Sequence, residues 1–309
     1  MDAIKKTISV IEPVSEAIEK TKIILFRPFD AEKWLVIGFC AWLASLIKGG
    51  FHGMSRFNHE RPDHYMDEVT TKIACFAGAH IIAISITIIA AAIFFVAILV
   101  LLLWLSSRGQ FMFIDCLAKN KAQVKQPWQI FKQRANSLLG FRLIVAAIGF
   151  AVITALFVPI IFFAIAAKAS FSIAIVAIAM IFIMVLLIIT AASILGLVHA
   201  LTFDFVVPIM YLQKINILAA WQRFWPVLKC HFWKIMLYLL FKLLITMCIG
   251  AIVMFIFVLG CCCCCISVIL LIPYIGTVIL LPFPSFSKLY NLCFVRQFGS
   301  EFDVFSSAA

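Results

Sequence analysis

The stretch His199–Trp233, HALTFDFVVPIMYLQKINILAAWQRFWPVLKCHFW, decides how the whole chain is read. A long uncharged run stops at Asp204, resumes briefly through Pro208 to Met210, and gives way to a segment mixing aromatic and basic residues. Past Trp233 a new apolar run begins. Lipid offers a backbone no hydrogen-bond partners, so such runs read as helices that close their own N–H and C=O groups. Aromatic-basic connectors read as segments at the water interface, with Trp rings at headgroup level and long cations reaching out of the oil.

Composition extends that reading to the whole chain. Of 309 residues, 65% are hydrophobic and 13% charged, whereas a soluble domain carries about 25% charged residues. No core of this size hides the excess, so the bilayer is its solvent. A net charge of +11 would point to nucleic acid in a soluble protein; here the positions of the cations explain it, and no nucleic-acid partner is expected. The eleven cysteines do not read as a disulfide framework. Cys40, Cys75, Cys248 and Cys261 to Cys265 lie in or beside apolar runs and serve as small hydrophobes. Five consecutive thiols point around a helix and do not converge on one ion. No cofactor is expected.

A helix needs about 20 residues, at roughly 1.5 Å each, to cross about 30 Å of hydrocarbon. The apolar runs predict an all-α polytopic membrane protein with six transmembrane helices. Residues 1–33 form an N-terminal cytoplasmic segment; 34–282 hold spans near 34–48, 79–105, 143–167, 172–197, 236–259 and 262–282; 283–309 form a C-terminal cytoplasmic tail. The spans pair as three hairpins, the last turning near Gly260, with amphipathic interfacial helices on the cytoplasmic side. Ile8, Ile11, Val14 and Ile18 recur at helical spacing, so the N-terminal segment reads as an amphipathic helix on the membrane or a solvated one. No cleavable signal sequence is read in the first thirty residues.

The cations sort by compartment. The N-terminal segment, the connectors Arg108–Arg142 and Lys214–Lys242, and the tail hold twenty of the 25 Lys and Arg. The alternate segments hold Lys48, Arg56, Arg61, Lys72 and Lys168. Lys and Arg gather on the cytoplasmic side, which places both termini there, in a bacterial inner membrane. The aromatic-basic segments FRPFDAEKW, PWQIFKQRANSLLGFR and WQRFWPVLKCHFWK repeat before each odd-numbered span. Trp128-Gln129-x-Phe131 matches Trp221-Gln222-x-Phe224. Trp128, Lys132, Arg134, Trp221 and Arg223 are therefore expected to touch lipid headgroups. Ala79, Ala83, Thr87 and Ala91, and Ala147, Ala151 and Ala155, form small-residue ridges where helices approach closely.

Ionisable groups inside lipid are costly, so each is a functional candidate. Asp115, Asp204 and Lys242 fall near the cytoplasmic ends of spans, where an Asp204–Lys242 pair is sterically plausible and His199 stands within reach of a relay. The alternative is a snorkelling lysine with acids that fix helix ends. The segment 49–68 places His52, His59 and His64 beside Glu60, Asp63, Asp67 and Glu68. That suits a divalent ion or simply a polar solvated loop, and no metal site is assigned. Lys20-x6-Arg27-Pro28 has the spacing of the first lipid-phosphatase motif, but its later motifs are missing. HExxH, GxSxG and Walker motifs are absent too, so no catalytic residue is assigned.

RGQFMFID, KQPWQIF, FDFVVPIMY and AAWQRF resemble a group of uncharacterised six-helix prokaryotic membrane proteins. That group is similar to the membrane domain attached to some glycerophosphodiester phosphodiesterases. The resemblance implies six helices and a cytoplasmic-membrane location, with no catalytic residues, since the phosphodiesterase barrel is missing. The expected function is a non-enzymatic inner-membrane protein in envelope organisation or the membrane subunit of a complex, with membrane lipids and membrane proteins as partners. The alternative is a transporter or channel for a small or lipidic solute.

Overall fold

The computed structural model describes residues 8–46, 81–166, 171–262 and 272–306, and every regular element among them is helical. In chain order these are α1 (Glu12–Phe26), α2 (Ala31–Ser45), α3 (Ile81–Lys119), α4 (Lys125–Ile130), α5 (Lys132–Ala166) and α6 (Phe171–Leu201). A widened turn, Thr202–Val206, joins α6 to α7 (Val207–Gln213). Then come α8 (Ile217–Cys230), α9 (Phe232–Cys262), α10 (Pro273–Ile279) and α11 (Pro282–Val295).

Four segments are long and apolar enough to cross a membrane: Ser85–Lys119, Lys132–Phe163, Ile175–Gln213 and Phe232–Gly260. They carry the second to fifth expected spans. Among the described residues no further helix reaches that standard, so the first and sixth expected spans are not shown. The 15 residues of α2 cover about 22 Å at roughly 1.5 Å per residue, short of the hydrocarbon thickness. Of the sixth, 263–271 lie outside the described residues, and α10 is seven residues long. The helices also run past the expected boundaries: Arg108 and Arg142, read as connector charges, sit inside α3 and α5.

Burial divides the long helices in two. Ser85 to Ile98 of α3 is exposed, while every residue from Ser106 to Leu117 is buried. Likewise α6 is largely exposed, while every residue from Leu201 to Tyr211 is buried. A helix buried all round needs neighbours all round, and α2, α4, α8 and α11 supply them. Their aromatic residues interlock: Phe131 stacks on Phe111 and Tyr211, and Phe224 stacks on Phe205. Phe131 and Phe224 are the matching positions of the sequence repeat, and both fill core sites. The N-terminal portions of α3 and α6, and the C-terminal portions of α5 and α9, carry the apolar surface that lipid would cover.

Close backbone approach sets the α2–α3 contact. A Cβ on Gly109 would stand 2.6 Å from the Ala44 backbone nitrogen. The Ala44 carbonyl, orphaned at the helix end, accepts from Ser106 Oγ (3.2 Å) and Gln110 Nε2 (2.8 Å). At its other end α2 is capped by Asp30, whose carboxylate accepts from the amides of Glu32 and Lys33, and Lys33 Nζ donates to Asn120 Oδ1 at 2.6 Å. The two helices are therefore antiparallel. Beside them, Trp34 Nε1 donates to the Val278 carbonyl of α10 at 2.8 Å.

The N-terminal helix presents a different face from the one expected. Pro13, Ala17, Thr21, Ile24 and Leu25 are its buried residues, whereas Ile11 is 71% and Ile18 43% exposed. It docks on α11 and the turns after it: Tyr290 Oη donates to the Val10 carbonyl (3.1 Å), and Arg296 pairs with Glu16 (2.7 Å). Small Ala17 permits that approach, which a count of large apolar residues does not register. Segment 283–309, expected as a tail, contributes α11, with Leu289 to Val295 fully buried. Ala147, Ala151 and Ala155 face outward. Helices α5 and α6 instead meet at Gly149, where a Cβ would lie 3.1 Å from Leu195 Cδ1.

Gly109→Ala must push α2 from α3 and is expected to cost about 1–3 kcal/mol. Gly140→Ala, where a Cβ meets nothing within 4 Å, is expected to gain about 0.5–1 kcal/mol from helix propensity. Thermal melting of the detergent-solubilised variants checks both; equal melting temperatures would refute the proposed contact.

Candidate functional site

Pro208 is where the site begins. Proline carries no N–H and its ring crowds the carbonyl four residues back, here that of Asp204. The helix responds by widening over Thr202–Val206, with the Val207 amide reaching back to the Thr202 carbonyl. Pro208 thus offers the Asp204 carbonyl no amide, and the Val207 amide serves the Thr202 carbonyl in place of that of Phe203. Two side chains of α11, one turn apart, serve the Phe203 and Asp204 carbonyls: Lys288 Nζ donates to Phe203 O (3.2 Å) and Asn291 Nδ2 to Asp204 O (2.6 Å). Single widened turns of this kind recur at functional sites.

The Asp204 side chain points to α9, where Lys242 Nζ donates to its Oδ1. One turn earlier, the fully buried Tyr238 accepts from Asn291 Nδ2 at 3.0 Å. Tyr238 stacks between Phe294 (4.2 Å) and Tyr290 (5.4 Å). Burial and the Asp204 charge push the Tyr290 hydroxyl well above its ordinary pKa. Asp204 is 5% exposed; in so dry a place a carboxylate is tolerable only with a cation and good hydrogen bonds. A cavity of about 290 Å³ opens beside the pair, lined also by Gln110, Phe203, Thr246 and Lys288.

The expected Asp204–Lys242 pair thus forms. Asp115 does not join it. Its Oδ1 accepts from Tyr211 Oη (2.8 Å) and Lys119 Nζ (2.7 Å), which ties α3 to α7. Nor is His199 shown bonded to Asp204: it packs on the Phe203 ring at 4.4 Å and lines a second, apolar cavity of about 760 Å³ between α3, α5 and α6.

Of the expected headgroup residues, Lys132 and Arg223 are exposed. Trp128 is half-buried, its ring edge-on to Trp104 at 5.7 Å, and Trp221 packs against Phe141 and Phe224. Arg134 lies 5.4 Å from the Phe131 ring, with Nη1 buried and unbonded. The histidine cluster at 52–64 and Cys263 to Cys265 lie outside the described residues.

Two buried cations were not singled out by sequence reasoning. Arg108 is held between the rings of Trp104 (4.3 Å) and Trp128 (4.6 Å). Arg142, 8% exposed, donates through Nη1 to Ser107 Oγ (3.1 Å) and Ser106 Oγ (3.4 Å) and lies 5.1 Å from the Phe203 ring. A single signal was available, a lone arginine directly before the uninterrupted apolar run that starts at Leu143 in α5, but it read as an end-of-span charge. Asn291 and Lys288 gave none, because their partners are backbone carbonyls.

Asn291→Leu is expected to strand the Asp204 carbonyl and cost about 1–3 kcal/mol. In a Pro208→Ala background, where the restored amide supplies a donor, the same change costs less. Thermal melts of the four proteins measure the coupling, and strict additivity would refute the tie between Pro208 and Asn291.

No curated protein and no solved structure matches the chain, so the likeness to the phosphodiesterase membrane domain gains no support. One protein family does match, over residues 8–295, nearly the whole chain. The chain belongs to that family, a family of unknown function (DUF7544).

Proposed function

We propose that the protein is a non-enzymatic integral protein of a bacterial cytoplasmic membrane, serving in envelope organisation or as the membrane part of a complex. One observation carries this reading: a packed, polar-tethered layer at one end of four helices whose remaining apolar lengths the chain leaves uncovered. Arg142 of α5 reaches Ser106 and Ser107 of α3 and the Phe203 ring of the widened turn, and the next residue of that turn, Asp204, pairs with Lys242 of α9. They therefore share one level. Trp104, Trp128 and Trp221 lie close to it, as an interfacial aromatic belt would.

Hydrocarbon on one side of that level and headgroups with cytoplasm on the other account for both zones. Asp115, Asp204 and Lys242 then act as ties between helices, which supports a structural rather than catalytic role. Helices α1 and α11 belong to the packed layer, which supports the reading that both termini lie on the side rich in Lys and Arg. Six crossings in three hairpins remain our reading: α2 and α10 stand side by side, and segments 34–48 and 262–282 complete the first and last.

The cavity beside Lys242 favours a second reading, a transporter or channel for a small or lipidic solute. In that case, vesicles containing the protein take up solute faster than protein-free vesicles, and Asp204→Asn stops it. Equal uptake excludes it.

Reporter fusions at residues 60, 168 and 309 test the topology: the first two are expected outside and the last inside. Reversing Lys121, Lys125, Lys132 and Arg134 to Glu is expected to mix the orientation of the fusion at 309 or weaken association with anionic vesicles. Unchanged orientation and lipid binding would remove the role given to that segment.

A further inference from the structure

The groove between α3, α5 and α6 pairs a buried cation with apolar walls. Arg142 lines one end, with His199 and Thr202; from there the walls run through Ala146, Gly149 and Ile153 on α5 and through Leu195 and Gly196 on α6. Eleven residues separate Arg142 from Ile153, so the walls reach about 16 Å from the guanidinium, at roughly 1.5 Å per residue. That is about half of a hydrocarbon layer some 30 Å thick.

Arg142 is 8% exposed as a residue, and its guanidinium faces no carboxylate among the described residues. The nearest acids are committed elsewhere, Asp204 to Lys242 and Asp115 to Lys119. Among the described residues Arg142 has as acceptors the hydroxyls of Ser106 and Ser107, both reached by Nη1. Arginine presents five donors in a planar fork suited to a phosphate's oxygens. A buried charge without a counter-ion is costly, and Ser hydroxyls offset little of that.

We propose that this groove binds one anionic phospholipid, its phosphate on Arg142 and one acyl chain along Gly149, Leu195 and Gly196. Charge complementarity selects the occupant. A zwitterionic lipid fills the apolar walls equally well, but brings its own cation to a site already holding one. A second protein helix would need an acid placed at Arg142, whereas an anionic headgroup at a membrane surface has its charge at that depth.

The inference uses only the groove's exposure to lipid, so its failure leaves the topology, tested separately by the reporter fusions, untouched. Two substitutions probe the two ends. Arg142→Gln removes the charge. Gly196→Leu fills the chain channel at a position where a Cβ meets nothing within 4 Å, so the fold is spared. The full chain in detergent is titrated with phosphatidylglycerol or phosphatidylcholine and followed by native mass spectrometry.

The wild type is expected to hold one phosphatidylglycerol about tenfold more tightly than phosphatidylcholine, a ratio in the range of one charge-assisted hydrogen bond. Arg142→Gln should erase that preference. Gly196→Leu should weaken both lipids by about tenfold, and millimolar inorganic phosphate should not displace phosphatidylglycerol. Equal retention of the two lipids by the wild type, full binding by Gly196→Leu, or displacement by phosphate alone overturns the proposal. If Arg142→Gln fails to fold, the lipid preference of the wild type and the Gly196→Leu result decide.

Discussion

An amide that proline does not have organises the middle of this protein. Pro208 offers the Asp204 carbonyl no amide, the widened turn gives the Val207 amide to Thr202 instead of Phe203, and a buried carbonyl without a partner costs as much as a lost hydrogen bond. The chain meets that demand from α11, through Lys288 and Asn291. The same widened turn holds Asp204, whose carboxylate recruits Lys242 from α9. One backbone irregularity thereby fixes three helices against each other at a single level. Residues that break a helix are tolerated in membrane proteins when neighbouring side chains satisfy the freed groups, and here those neighbours are identifiable.

The two zones on either side of that level obey different physics. Toward the packed layer, apolar side chains gain by leaving water, at about 25 cal/mol per Å², and the result is the dense aromatic core around Phe205, Phe224, Tyr238 and Phe294. Toward the bare helices no such gain exists, because lipid tails are as apolar as the side chains they would replace. Association there rests on small residues and polar contacts. The α5–α6 meeting at Gly149 is of that kind. The helices are consequently held together from one end.

This division explains what the sequence could and could not show. Long helices, the apolar lengths and the Asp204–Lys242 pair were legible because each depends on local pattern: uninterrupted hydrophobic runs and isolated charges beside them. The burial of α11 and the docking face of α1 were not legible. Asn291, Lys288 and Tyr290 act on backbone carbonyls, which every residue possesses, so no pattern marks them. Arg108 and Arg142 misled as connector charges, because an arginine at a helix end and one sunk among Trp rings or serines have the same letters around them. The alanine ridge of α5 misled for a related reason, while Ala79 of the other ridge lies outside the described residues. Small residues allow close approach but do not compel it, and those of α5 face outward.

Arg142 is the position where the two zones meet. A cation at that depth gains little from the hydrophobic core beneath it and is repelled by the hydrocarbon above it. Lys242 resolves the same conflict with Asp204, an internal counter-ion that ties the widened turn to α9. Arg142 has the hydroxyls of two serines instead, and lines a groove open on its apolar side. Of these two cations, one has a carboxylate partner and the other has none among the described residues. The difference assigns the second to the environment: its counter-charge must come from whatever occupies the groove, and the apolar walls require that occupant to carry a hydrocarbon tail.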